Sequence, residues 1–160
     1  MLPLMIDNEP LNRTVMRILG NILWHIPYCG FMSALYFFFL GLFWCLTIVG
    51  LPLGISLLHF ARFLLTPFTS RMIDRNELTY VGASKQNVIF RTYGNLLWIL
   101  YLPFGLLGCV WLFLVMLSQF VTIIGIPCGL VSMKSFGTVL KPFNKVCVSV
   151  ATSDQINMRK

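Results

Sequence analysis

Thr47-Ile48-Val49-Gly50-Leu51-Pro52-Leu53-Gly54 recurs 75 positions later as Thr122-Ile123-Ile124-Gly125-Ile126-Pro127-Cys128-Gly129. Working outward from this motif, Gly20-Asn21-Ile22-Leu23-Trp24 returns as Gly94-Asn95-Leu96-Leu97-Trp98 at an offset of 74, and Pro67-Phe68 as Pro142-Phe143 at 75. Apolar runs resemble one another by chance, but Gly, Pro, Asn and Trp held in register from Gly20 to Phe68 do not. The chain is a duplication. Each unit reads Gly-Asn-x-x-Trp, a long apolar segment, Gly-x-Pro-x-Gly, a shorter segment, then Pro-Phe.

The setting of this repeat follows from charge. Ile18 to Ala61 (44 residues) and Thr92 to Met133 (42 residues) contain no Asp, Glu, Lys or Arg. About 20 apolar residues suffice to span a bilayer. A soluble core helix carries a polar face, which Leu35–Val49 and Leu106–Leu117 lack. Charged residues make up 11% of the chain, against about a quarter in soluble domains, which selects the membrane class. Met1–Pro10 lacks the basic and small-residue features of a cleaved signal, so the N-terminus is expected to be retained.

The predicted fold is an all-α integral membrane protein of two parallel internal repeats. Each repeat is a long transmembrane helix, a Gly-x-Pro-x-Gly break and a short amphipathic return helix. Its parts are an N-terminal cytoplasmic segment (1–15), membrane repeat 1 (16–72), a polar connector (73–89), membrane repeat 2 (90–148) and a cytoplasmic tail (149–160). Cations gather at Arg13 and Arg17, at Arg71, Arg75, Lys85 and Arg91, and at Lys141, Lys145, Arg159 and Lys160. Short basic flanks stay inside. Both termini and the connector are therefore expected to be cytoplasmic, and the repeats parallel.

The breaks are assigned to Gly50, Pro52 and Gly54 and to Gly125, Pro127 and Gly129. Proline removes a backbone donor, and glycine admits the dihedrals of a break. The return legs, near Gly54–Thr66 and Gly129–Leu140, have 13 and 12 residues. At 1.5 Å per residue they reach roughly 20 Å, short of a core of about 30 Å.

Behind the breaks stand His59, with Arg62 three residues on, and Lys134 at the position equivalent to His59. Ser56, His59, Arg62 and Thr66 form one polar stripe; Lys134, Thr138 and Lys141 form another. Two readings stay open. The stripes lie at the interface and meet lipid phosphates, or they face one another and line a polar cavity. In the second case half-helix N-termini at Gly54 and Gly129 add positive potential for an anion. Trp24 and Trp98 read as headgroup-level anchors. His25, which has Ile99 as its counterpart, receives no role.

These features resemble the YccF-like inner membrane component domain family. The resemblance rests on Asp74-Arg75-Asn76-Glu77-Leu78, Asn87-Val88, Gly94-Asn95 with Trp98, and Ile123-Ile124-Gly125-Ile126-Pro127 with Gly129, continuing through Lys134 and Pro142. It covers nearly the whole chain and is densest in the second unit. It implies an inner or plasma membrane location and a repeated helical architecture, and brings no catalytic residue or cofactor. The first unit departs from the pattern in carrying His59 where the second has Lys134.

Most chemistry is disfavoured by placement. The five acids, Asp7, Glu9, Asp74, Glu77 and Asp154, fall outside the apolar blocks, against a proton relay in the membrane. No nucleophile–base set, phosphate loop or Cys/His metal spacing occurs. The five cysteines, Cys29, Cys45, Cys109, Cys128 and Cys147, read as small apolar residues. A net charge of +7 is accounted for by topology and anionic headgroups rather than nucleic acid.

The function expected is that of a non-enzymatic structural or accessory membrane component, without cofactor or metal. Its partner is the lipid bilayer, with a homo-oligomer or another membrane protein left open. Gly41, Gly105 and Gly108 suggest close helix contacts. The alternative is an oligomeric anion-selective pore or carrier lined by His59, Arg62 and Lys134.

Overall fold

Proline is favoured in the first turn of a helix, where its missing N–H is needed by no carbonyl. Both Gly-x-Pro-x-Gly motifs use it this way in the computed structural model, which describes residues 11–26, 30–82 and 88–159. The helices are α1 (Leu11–His25), α2 (Gly30–Leu46), α3 (Leu51–Leu65), α4 (Val88–Phe120), α5 (Ile126–Leu140) and α6 (Val150–Arg159). Two strands, β1 (Ser70–Asp74) and β2 (Lys145–Ser149), follow α3 and α5. Asp7, Glu9, Cys29, Lys85, Lys160 and the side chain of Arg91 lie outside the described residues.

The recurring Thr and Gly build one turn twice. Thr47 donates its hydroxyl to the Trp44 carbonyl (2.8 Å), and the Gly50 N–H donates to the Thr47 carbonyl (2.9 Å). Thr122 and Gly125 repeat both bonds, to Gln119 at 3.2 Å and to Thr122 at 2.9 Å. A 310 turn then runs straight into α3 at Leu51 and into α5 at Ile126. The motif thus starts a helix. The expected break at Gly54 and Gly129 moves back three residues, and each short helix has 15 residues rather than 12 or 13. At about 22 Å it still falls short of the bilayer core.

Unusual dihedrals are not the reason for the glycines, since φ is −86° at Gly50 and −80° at Gly125. Space is. A Cβ on Gly54 would lie 2.8 Å from both the Cys45 nitrogen and the Gly41 carbonyl oxygen. The α2–α3 hairpin therefore closes backbone to backbone. Gly41, read as a surface for partners, is spent inside this hairpin. Gly105 and Gly108 are spent likewise, against the Val139 carbonyl of α5 and the Phe37 ring of α2.

Among the described residues only α4 is by itself long and apolar enough to cross a membrane, over Thr92–Phe120 (29 residues). That stretch is about 43 Å long. In the first unit the expected long helix is divided into α1 and α2, inclined by 78°, which pass the same test only as a joined pair. Fully buried Trp24 lies against Gly30, where any side chain would overlap the indole. The end of α1 is thereby wedged on the start of α2. Pro103, by contrast, sits inside an unbroken α4.

The all-α expectation also misses a sheet. β1 and β2 pair antiparallel, Ser70 opposite Ser149 and Asp74 opposite Lys145. β-Branched Ile73, Val146 and Val148 suit the pleated surface. The central pair is Met72 with Cys147, which are equivalent positions at the offset of 75. Equivalent strands paired about an equivalent residue are related by a local two-fold axis normal to the sheet. The expected tail, 149–160, is mostly α6, and α1 begins inside the segment expected to precede the first repeat.

Between the units, α2 and α4 meet through apolar and polar contacts. Trp44 and Phe104 pack edge to face with centroids 6.2 Å apart, and the Trp111 indole N–H donates to Ser33 Oγ at 3.1 Å. The core of Phe37, Leu53, Leu57, Phe60, Tyr101 and Leu112 fills the space around this contact.

Candidate functional site

The motif before each long segment closes the end of the short helix. The last carbonyls of a helix have no partner within it. Trp24 Nε1–H donates to the Leu64 carbonyl at the end of α3 (2.9 Å), and Trp98 Nε1–H donates to the Leu140 carbonyl at the end of α5. Gly20 lies beneath the Phe68 ring and Gly94 beneath the Phe143 ring, each too close for a Cβ. Asn21 Oδ1 accepts from the Phe68 N–H at 3.1 Å. The repeated Gly-Asn-x-x-Trp and Pro-Phe are thus two halves of one joint, in which fully buried Trp24 is a cap rather than the expected headgroup anchor, while Trp98 caps and stays partly exposed. His25 gains a place here as well. Its Nε2–H donates to the Leu65 carbonyl at 2.8 Å beside Trp24. Only its distance from a helix end 40 residues away concealed this in the sequence.

The three candidate cations do not share a cavity. Lys134 lines a cavity of about 400 Å³ together with Arg17 of α1, Arg71 of β1 and Lys145 of β2. Ser70 and Thr138 add hydroxyls, and among the described residues no carboxylate lines it. Asp154 reaches Arg71 from outside, Oδ1 to Nη1 at 3.0 Å, and Asp74 lies opposite Lys145 on the strand pair. His59 lines a second pocket of about 30 Å³ with Ser56, Arg75, Phe143 and Val146, and Lys145 borders both. Arg62 is exposed on α3 and lines neither.

These two pockets are equivalent by the repeat. At the offset of 75, Ser56, His59, Phe68 and Arg71 correspond to Val131, Lys134, Phe143 and Val146. The first repeat's helix supplies Ser56 and His59 to the small pocket, and the second's supplies Val131 and Lys134 to the large one. The sheet crosses over, giving Arg71 to the large pocket and Val146 to the small.

The His59 imidazole, lying against the polar strand pair, is held below its ordinary range by burial and then by Arg62 and Arg75. Burial and the neighbouring guanidinium groups thus favour the neutral ring at His59. Lys134 stands eight residues, roughly 12 Å, from the start of α5 at Ile126. A helix dipole acts within about its first turn, so the α5 N-terminus does not reach Lys134, whereas first-turn Pro52 of α3 lines the pocket of His59 and Arg75. Cys147, at the centre of the sheet, is a free thiol whose ionisation is pushed up by burial, in keeping with an inert role.

A family model described as the inner membrane component domain, YccF, matches residues 19–70. That is the first unit, whereas the motif resemblance is densest in the second. The chain is also similar to inner membrane protein YccF of Escherichia coli (strain K12), with 31% identity over 144 residues covering 88% of this chain and 90% of the relative. Inner membrane protein YccF of Shigella flexneri matches with the same identity and coverage. No solved structure matches this chain. Identity running across both repeats of a chain whose helices turn apolar faces outward leaves one conclusion: it belongs to the YccF family of inner membrane proteins.

Proposed function

We propose that this chain is a non-enzymatic structural component of the membrane, in which two parallel repeats seat their short helices at the cytoplasmic interface. The observation that carries this reading is the pairing of Met72 with Cys147 at the centre of the strand pair. A two-fold axis normal to the sheet puts both helical units on one side of it, as parallel repeats require. Arg71, Asp74 and Lys145 make the strand pair too polar for hydrocarbon. The sheet therefore lies at the cytoplasmic surface, and α3, which packs along β2 past His59, lies at the interface beside it. Phe31, Phe38 and Phe39 of α2 and Leu107, Val110 and Leu114 of α4 are exposed and meet lipid. The cations of the strand side meet anionic headgroups. Because His59 and Lys134 line separate pockets, no single cationic path supports a pore.

The test uses the full chain in membranes. With Met72→Cys, mild oxidation is expected to link residue 72 to Cys147, because opposed strand positions lie within disulfide reach. In a background lacking the other cysteines, Lys134→Cys is expected to react with an impermeant maleimide only from the cytoplasmic side. Labelling from the outer side, or release of the chain from membranes by alkaline carbonate, would overturn the reading.

A further inference from the structure

We propose that the cavity between α1, α5 and the strand pair is a binding site for a phosphate group, with Lys134, Arg71, Arg17 and Lys145 as its cationic wall. Four separate elements deliver these side chains, so no helical periodicity brings them together. Cations directed at one space raise the potential there and draw an anion to it. Among the described residues no carboxylate lines the cavity. Asp154 engages one nitrogen of Arg71, and a guanidinium has five N–H donors, so others remain for a ligand. The Thr138 hydroxyl lines the same wall, and Ser70, hydrogen-bonded to Thr66 at 2.9 Å, lies beside it.

The floor narrows the ligand class. Phe63, Phe68 and Val131 line the same cavity, so one end is apolar and the other cationic. An amphiphile with a phosphate head matches both ends. At about 400 Å³ the space takes a headgroup and the first part of a chain, but not a whole lipid. The equivalent pocket acts as an internal control. With His59 and Val146 in place of Lys134 and Arg71 it has closed to about 30 Å³. The small pocket still carries Arg75 and Lys145, so what it lacks beside the large one is room rather than positive charge. The inference rests on the membrane reading only for the source of the phosphate; the site itself does not need it.

The experiment titrates purified full-length chain in neutral detergent with dioctanoyl phosphatidic acid, dioctanoyl phosphatidylcholine and inorganic phosphate, followed by calorimetry. Lys134→Gln is compared with Lys141→Gln, which removes the same charge from α5's end outside this cavity. Saturable binding of phosphatidic acid is expected, weakened roughly tenfold by Lys134→Gln, the usual scale for one charge-assisted contact. Lys141→Gln should leave it within about twofold. Inorganic phosphate binding with the same dependence on Lys134 assigns the site to a soluble anion. Binding of phosphatidic acid alone assigns it to lipid. Non-saturable uptake, or equal losses in both variants, overturns the site and leaves only general surface charge. Thermal unfolding of each variant is measured alongside, and Arg71→Gln replaces Lys134→Gln if the latter does not fold.

Discussion

The two repeats share a joint, a turn and a short helix, yet they differ in how tightly each is closed. In the first unit α2 and α3 meet backbone to backbone at Gly41 and Gly54, Trp24 is fully buried, and the pocket at His59 is nearly filled. In the second, α4 runs unbroken for 33 residues, Trp98 is half-exposed, and the pocket at Lys134 is open. One sequence motif thus serves two ends. Where the surroundings press on it, it makes a rigid hairpin; where they do not, it leaves room. The same glycine is indispensable in one copy and merely convenient in the other.

The largest effect that would test this contrast is at the hairpin glycines. Gly54→Ala is expected to destabilise by about 3 kcal/mol, since the new methyl meets fixed backbone at 2.8 Å in α2. Gly129→Ala should cost less than about 1 kcal/mol. Its methyl would meet only the far edge of the Phe120 ring, at 2.9 Å, and alanine favours helix. Reversible unfolding of the two variants in mixed micelles decides the order, and equal losses would erase the distinction between the hairpins.

Next in size is the tryptophan cap. Trp24→Phe strands the Leu64 carbonyl in a buried place and should cost about 1–3 kcal/mol. Trp98→Phe should cost about half as much or less, because Trp98 and Leu140 are reached by solvent or headgroups that can replace the bond. The same unfolding measurement applies. A larger loss at Trp98 would mean that the open repeat, not the closed one, holds the fold.

The smallest expected effect concerns pH. His59 has its folded pKa below the ordinary value, so folding favours the neutral ring. Its contribution is fully present above about pH 6.5 and is lost as pH falls through the ordinary value toward the folded one. Parent protein should therefore lose some stability between about pH 7.5 and 5.5, and His59→Gln should flatten that slope. Lys134→Gln, outside that pocket, should leave the slope as it is. An unchanged slope in His59→Gln would show that the small pocket is not closed around the ring.

Much of the plan was legible before any coordinates. The duplication could be read because Gly, Pro, Asn and Trp are rare enough in apolar runs to stand out, and the short helices because 15 residues fit between Thr-x-x-Gly and Pro-Phe. The starting point of those helices was misplaced by three residues, since a proline read as a break is equally a first-turn residue. The strand pair was missed for a different reason. β1 and β2 are five residues each and 75 apart, too short and too distant for periodicity to report. Without them Arg71 and Lys145 look like scattered topology charges.

By itself the sequence determined that this is a duplicated, membrane-embedded helical chain with its charges kept outside the apolar blocks, because the bilayer penalises charge and unpaired backbone wherever they fall along the chain. Only the tertiary structure decided which copy of the motif closes and which opens, and that Lys134 stands with Arg17, Arg71 and Lys145 rather than with His59 and Arg62. The physical reason is that cation placement across four elements depends on how the two strands cross over, and strand pairing is a long-range choice that no local pattern encodes.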